Sequence, residues 1–165
     1  TTTNPANMID PSGSLATNAS KTAKLSIEEA EELAFNAVHG PSKSDIVVLG
    51  KFDGVKDANG NFIKDANGKV IPTENSYNVI AQDVGAQYFQ LDNWDDLASK
   101  YEGDEIWKIN ERYLDIQTSS GREIYLTNNP GDFIKGKGFY TREVNYLLDN
   151  GYTFVKEGDF WHAVR

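Results

Sequence analysis

Cysteine is absent from all 165 residues, which removes disulfide scaffolds, thiolate zinc sites and cysteine nucleophiles from consideration. The redox compartment stays open. Histidine occurs only at positions 39 and 162, so a histidine-pair ribonuclease site would need both. No apolar run approaches the ~20 residues of a membrane span, and no charged segment followed by an apolar stretch opens the chain. Neither anchor nor signal peptide is visible. A Gly-rich phosphate loop, a Gly-x-Ser-x-Gly elbow and a His-Glu-x-x-His helix are also missing. Basic residues are few: 16 Lys and Arg stand against 25 Asp and Glu, a formal charge of −9. Attachment to DNA or anionic lipid by bulk charge is thereby excluded, because phosphate contacts are carried by Lys and Arg. The start at Thr1, without Met, is what a fragment of a longer protein would show.

A chain of this length fits one domain and can bury roughly 70% of its unfolded surface, so an apolar core suffices for stability. Residues 1–22 carry five Thr, three Ser and three Asn with no aromatic residue, and are expected to be a flexible linker. The folded domain spans 23–165. Ser26 and Glu29 form a capping box ahead of a helix over 27–38, which Gly40-Pro41 stops. Ile46-Val47-Val48-Leu49 predicts a strand buried on both faces, with Lys51 just past its carboxyl end.

A duplication comes next, Lys56-Asp57-Ala58-Asn59-Gly60 and Lys64-Asp65-Ala66-Asn67-Gly68; its Asn-Gly turns predict an inserted β-ribbon over 55–72. The Asp57/Asn59/Asn61 spacing resembles a calcium loop, but Phe62 stands where glycine is required and Gly68 where the bidentate Glu belongs.

Helices are expected over 77–84, 94–101 and 105–118, with Asn93 and Asp104 as N-caps of the last two, and strands over 87–91 and 123–127. Thr141 is expected to cap another helix that Gly151 ends, and residues 152–164 form a C-terminal hairpin. The pattern predicts an α+β or α/β single domain: a mixed sheet packed with helices, an N-terminal helix and a closing β-hairpin.

The stretch 133–142 holds Lys135, Lys137 and Arg142, three aromatics including Tyr140, and no acid. Glycines let backbone approach a ligand, aromatic faces stack on bases, and a helix start near Thr141 favours an anion. Residues 92–115, by contrast, contain eight acids and three bases. The acidity is regional, so one local phosphate site is compatible with the overall charge. Lys51, Asp115, Thr127 and Glu143 come from the ends or faces of different elements, the usual geography of an α/β site. Each also has a structural explanation: a solvent-facing helix position for Asp115, a strand terminus for Thr127, and a helix-dipole partner for Glu143. His39 suits a helix end, and His162 a terminal strand.

Val48-Leu49-Gly50-Lys51, Ala86-x-x-Phe89, Trp107-x-x-Asn110 leading to Leu114-Asp115, Gly121 with Glu123-Ile124-x-Leu126-Thr127, and Glu143-Val144-Asn145-Tyr146-Leu147 closing on Gly151-Tyr152 occur in that order over about 46–152. In this order and spacing the chain resembles C-terminal toxin domains of bacterial polymorphic toxins, of the contact-dependent growth inhibition and Rhs types. It departs from that pattern at Lys137-Gly138-Phe139-Tyr140, where the family carries a Ser-containing step, and in the Asn-Gly ribbon. Thr141 is the nearest replacement hydroxyl.

The resemblance implies a toxic payload, exported as the C-terminal part of a large cell-surface or secreted protein, that acts in the target-cell cytoplasm. A cognate immunity protein would neutralise it, a host-cell activating protein is a further partner of the class, and no stable membrane association of this domain is expected. Many such domains are ribonucleases acting on tRNA. The activity expected here is metal-independent cleavage without a cofactor, by attack of a ribose 2′-hydroxyl on the adjacent phosphate. Lys51 and Arg142 would bind the phosphate, Lys135 and Lys137 would steer the RNA, and Thr127 and Asn110 would orient it. Glu143 or Asp115 would be the base and His162 the acid. Two alternatives stand beside this: an NAD-consuming or ADP-ribosylating toxin, and a non-enzymatic secreted binding module with the ribbon as an adhesive loop.

Overall fold

A computed structural model of the chain describes residues 21–165. Apart from Lys21 and Thr22, the expected linker lies outside the described residues. Helix α1 (Ile27–Asn36) begins at a complete capping box: the Glu29 amide donates to Ser26 Oγ at 3.0 Å and the Ser26 amide to Glu29 Oε1 at 3.1 Å. Strand β1 (Val38–His39) comes directly after it, then β2 (Ile46–Leu49), α2 (Tyr77–Asp83) and β3 (Tyr88–Phe89). The remaining elements are α3 (Trp94–Lys100), α4 (Gly103–Ser119), β4 (Glu123–Leu126), a 3-10 turn (Pro130–Phe133), α5 (Phe139–Asp149), β5 (Thr153–Glu157) and β6 (Phe160–Val164).

The main sheet has the order β2-β4-β6-β5, with β2 and β4 parallel and the other pairs antiparallel, so the expected mixed sheet and C-terminal hairpin are present. The architecture is α+β. Helices α1, α4 and α5 supply the core on one face, where Ala34, Ile109, Tyr113, Val144 and Leu147 meet Val47, Leu49, Ile124 and Leu126. Val48 points the other way, into a smaller cluster with Ala81, Ala86 and Tyr88. Strand β2 is therefore enclosed on both sides, which is why its sequence is an unbroken apolar run. Each fully buried Leu or Ile contributes about 1.5–3 kcal/mol, and Leu49, Ile109, Leu114, Ile124, Leu126 and Leu147 are all sealed.

Several sequence expectations shift. The strand expected over 87–91 is a two-residue strand paired with β1, and it also meets the main sheet through Val48 N–H donating to Gln87 O at 2.9 Å. Helix α4 starts two residues early, so Asp104 lies in its first turn with Glu102 at the N-cap, and the Asn93 side chain makes no cap bond. Helix α5 starts three residues early, at Phe139 after an extended Gly138; Thr141 is thus a buried residue inside the helix and not its cap.

The inserted segment has isolated antiparallel bridges, Lys56 with Phe62 and Lys64 with Val70 across the two Asn-Gly turns and Gly54 with Pro72 at its base, in place of continuous strands. Val55 N–H donates to Ile71 O, Ile63 N–H to Val55 O, and Ile71 N–H to Ile63 O, at 2.8–3.0 Å, closing a ring of three. Asp57 Oδ1 accepts from the amides of Asn59 and Asn61, and Asp65 Oδ1 from those of Asn67 and Lys69. These carboxylates fold their own turns, which is the physical reason for the Asp-Ala-Asn-Gly duplication. Among the described residues no helix is long and apolar enough to cross a membrane.

Candidate active site

Strands β2 and β4 end side by side, and the residues just past each end shape the candidate site. Beyond Leu49 the backbone of Gly50 lies against Thr127: a Cβ at Gly50 would sit 1.9 Å from Thr127 Oγ1 and 2.9 Å from Tyr77 Cβ. Lys51 comes next. Beyond Leu126, Thr127 Oγ1 donates to Asn128 Oδ1 at 2.8 Å, and that oxygen also accepts from the Lys51 amide at 3.0 Å. The Asn128 carbonyl accepts from Tyr140 Oη at 2.6 Å, the Tyr140 ring meets Phe133 edge-on at 5.0 Å, and the Lys51 ammonium lies 5.3 Å above the Phe133 ring. Five side chains from three segments thus form one connected cluster at the carboxyl edge of the parallel pair, where ligands of open α/β sheets commonly bind.

The N-terminus of α5 opens onto the same edge. Its free amides favour an anion. Thr141 is 5% exposed, and a Cβ on Gly136 would come within 3.8 Å of its Oγ1. Lys135 and Lys137 flank Gly136 on an exposed loop that Asn145 pins to the helix by donating to Ile134 O at 2.9 Å.

One turn further into α5, Glu143 is buried and accepts from Asn110 Nδ2 at 3.0 Å. Burial pushes its pKa up to about 8, against the lowering effect of the Asn110 hydrogen bond. Glu143 therefore carries a proton at neutral pH and lies beneath the cluster, next to Tyr140, so it braces the site instead of serving as an exposed base.

The other expected site residues lie elsewhere. Asp115 is taken up in a clasp between α4 and α5, accepting from Arg112 Nη1 at 3.1 Å and Tyr146 Oη at 2.5 Å. Arg142 donates to Asp104 Oδ1 at 2.6 Å, and its guanidinium carbon lies 5.8 Å from the centre of the Trp107 ring. Tyr140 is a buried pillar without an open face. Sequence reasoning gives no role to Asn128 or Tyr77, and it reads Phe133 only as one of the three stacking aromatics of 133–142. An Asn-Asn-Pro-Gly turn carries no signal for Asn128 beyond the turn itself, and its use as a tether emerges only when the two strands pair.

His162 faces the opposite side of the sheet, stacked on Tyr125 at 4.4 Å between centroids. Its Nδ1 lies 2.6 Å from Glu157 Oε2 and its Nε2 2.6 Å from Glu123 Oε1. Ionised carboxylates only accept, so a carboxylate at each ring nitrogen favours the form in which both nitrogens donate, the imidazolium. Burial opposes this charge, but the hydrogen bonds and charges of Glu157 and Glu123 outweigh it and hold the pKa above the ordinary value. A group whose folded pKa is raised stabilises the fold below its unfolded pKa, near 6.5, and loses that contribution as pH rises through the folded value. His162→Gln should therefore destabilise the protein at pH 5.5 and have little effect at pH 9. Urea unfolding at both pH values checks this, and an equal loss at each would show that the ring is neutral.

A depression of about 180 Å³ between α1 and the β3–α3 connection, lined by Leu33, Asn36, Ala37, Gln90, Leu91, Asp92 and Asn93, shares no residue with the Lys51 cluster. Among the described residues no group of three or more His, Asp or Glu side chains is placed to hold a metal ion. Comparison with protein-family models, with curated proteins and with solved structures returned no match.

Proposed function

We propose that this chain is the cytotoxic effector domain of a polymorphic toxin and that its activity is endoribonucleolytic, directed at tRNA. The observation that carries the proposal is the meeting of Lys51, the Thr127–Asn128 pair and the N-terminus of α5, which Tyr140 ties to Asn128, on one sheet edge. A scissile phosphate held there would meet an ammonium, helix amides and a hydroxyl, the donor set that stabilises charge developing on non-bridging oxygens. The 2′-hydroxyl oxygen bonds to phosphorus, the 5′-oxygen leaves, and protons are exchanged with water. Lys135 and Lys137 draw the RNA to this edge. The order of motifs shared with the toxin domains adds support. It also implies export within a larger protein, action in a target-cell cytoplasm and neutralisation by an immunity protein.

Incubating the purified domain with total RNA in EDTA tests the activity. Expected products end in 2′,3′-cyclic phosphate and 5′-hydroxyl groups, and Lys51→Ala slows their formation on the order of 100-fold or more. Intact RNA beside falling NAD would instead assign the site to the NAD-directed class. Intact RNA and NAD, with normal growth of cells expressing the domain, would leave the binding-module alternative.

A further inference from the structure

Next to the phosphate edge, three helices bring aromatic rings together. Phe139, the first residue of α5, meets Trp94 edge-on at 5.8 Å and Trp107 at 6.1 Å. All three rings are only partly buried, unlike the sealed Tyr113 of the core. Arg142, one turn after Phe139, extends the same surface: its guanidinium carbon lies over the Trp107 ring, 5.8 Å from the centroid, and its Nη2 donates to Asp104. Aromatic faces and guanidinium planes are the groups on which unpaired bases stack.

The charge around this platform is uneven. Lys135 and Lys137 are exposed on the loop that leads into Phe139, whereas Asp95, Asp96 and Asp104 stand exposed on α3 and α4. A sugar-phosphate backbone is favoured along the lysines and repelled along the aspartates. An uncharged base can cross onto the aromatic surface while its phosphate stays on the lysine side. A duplex cannot do this, because its second backbone would run against the aspartates and its bases are already stacked.

We propose that Phe139, Trp107 and the Arg142 guanidinium form a stacking subsite for an unpaired nucleobase, so that the domain engages single-stranded segments of RNA in preference to duplex. The inference rests on the phosphate-handling assignment of the Lys51 edge and deepens it.

A fluorescein-labelled 2′-O-methyl hexanucleotide, which lacks the attacking hydroxyl, separates binding from cleavage. By anisotropy the single strand should bind about tenfold more tightly than the same strand annealed to its complement. Phe139→Leu and Arg142→Gln should each weaken single-strand binding about tenfold and leave duplex binding unchanged. Lys137→Gln should weaken both alike, as a phosphate contact does. Arg142 is partly exposed, so its variant reports even where Phe139→Leu perturbs folding. Equal affinity for single strand and duplex, or wild-type binding by the folded variants, overturns the subsite. Platform-dependent binding with intact total RNA would keep the subsite and overturn the ribonuclease assignment; cleavage unaffected by the platform variants would do the reverse.

Discussion

Glu143→Gln should be more stable than the wild type above pH 8 and nearly equal to it at pH 4. The buried carboxyl titrates at about 8 in the folded protein and at 4.5 when unfolded. Because the folded state holds this proton more tightly, the favourable contribution is complete below 4.5 and declines as pH rises towards 8. At about 1.4 kcal/mol per pH unit, that interval amounts to on the order of 5 kcal/mol. Glutamine keeps an oxygen for the Asn110 amide to donate to and has nothing to ionise. Urea unfolding at pH 5, 7 and 9 should show the wild type losing stability across the series much more steeply than the variant. Parallel profiles would mean that Glu143 ionises freely. RNA cleavage at pH 6 separates bracing from proton transfer: the variant should match the wild type, whereas loss of a general base costs about 10²–10⁴-fold.

Gly50→Ala should cost about 2–3 kcal/mol and impair cleavage as well. The new methyl would lie 1.9 Å from Thr127 Oγ1, 3.1 Å from Thr127 Cβ and 2.9 Å from Tyr77 Cβ. Thr127 can rotate only by giving up its bond to Asn128 Oδ1, the oxygen that also holds the Lys51 amide. Tyr77 Cβ is fixed to helix α2 and cannot yield as a flexible side-chain end would. Thr127→Ala in the same chain should recover part of the stability, since it removes the worst overlap, but not the activity. A melting temperature unchanged by Gly50→Ala would show that the two strand ends are looser than these distances imply.

Local signals locate most of the framework. The capping box at Ser26, the apolar run of β2, the glycine that ends α5 (Gly151, φ +88°) and the closing hairpin are each set within a few residues, and each lies where the sequence places it. The α5 start is misjudged from sequence because Thr141 has a good capping side chain but is pulled into the core, leaving Gly138 at the boundary. The site is legible in part. Lys51, Thr127 and Thr141 are found by the rule that ligands gather at strand and helix ends. Asp115, Arg142 and His162 are suggested by residue type, and only the tertiary pairing reveals their other partners: Tyr146, Asp104 and the Glu123–Glu157 pair. The face of a sheet to which a histidine belongs depends on strand register, which its neighbours in sequence do not encode.

The segment between Asp53 and Thr73 leaves and rejoins the domain through a single stitched neck. Thr73 N–H donates to Asp53 O at 2.9 Å, Asp53 N–H to Ser76 Oγ at 3.0 Å, and Tyr77 N–H to Lys51 O at 3.1 Å. Its entry and exit therefore coincide, and the entropy of closing such a loop rises only slowly with the number of residues inside it. Away from the neck, residues 54–72 meet the domain through the exposed Lys69–Asp92 ion pair at 3.8 Å, so heredity or an experimenter could shorten, lengthen or exchange the segment at the cost of little more than that surface contact.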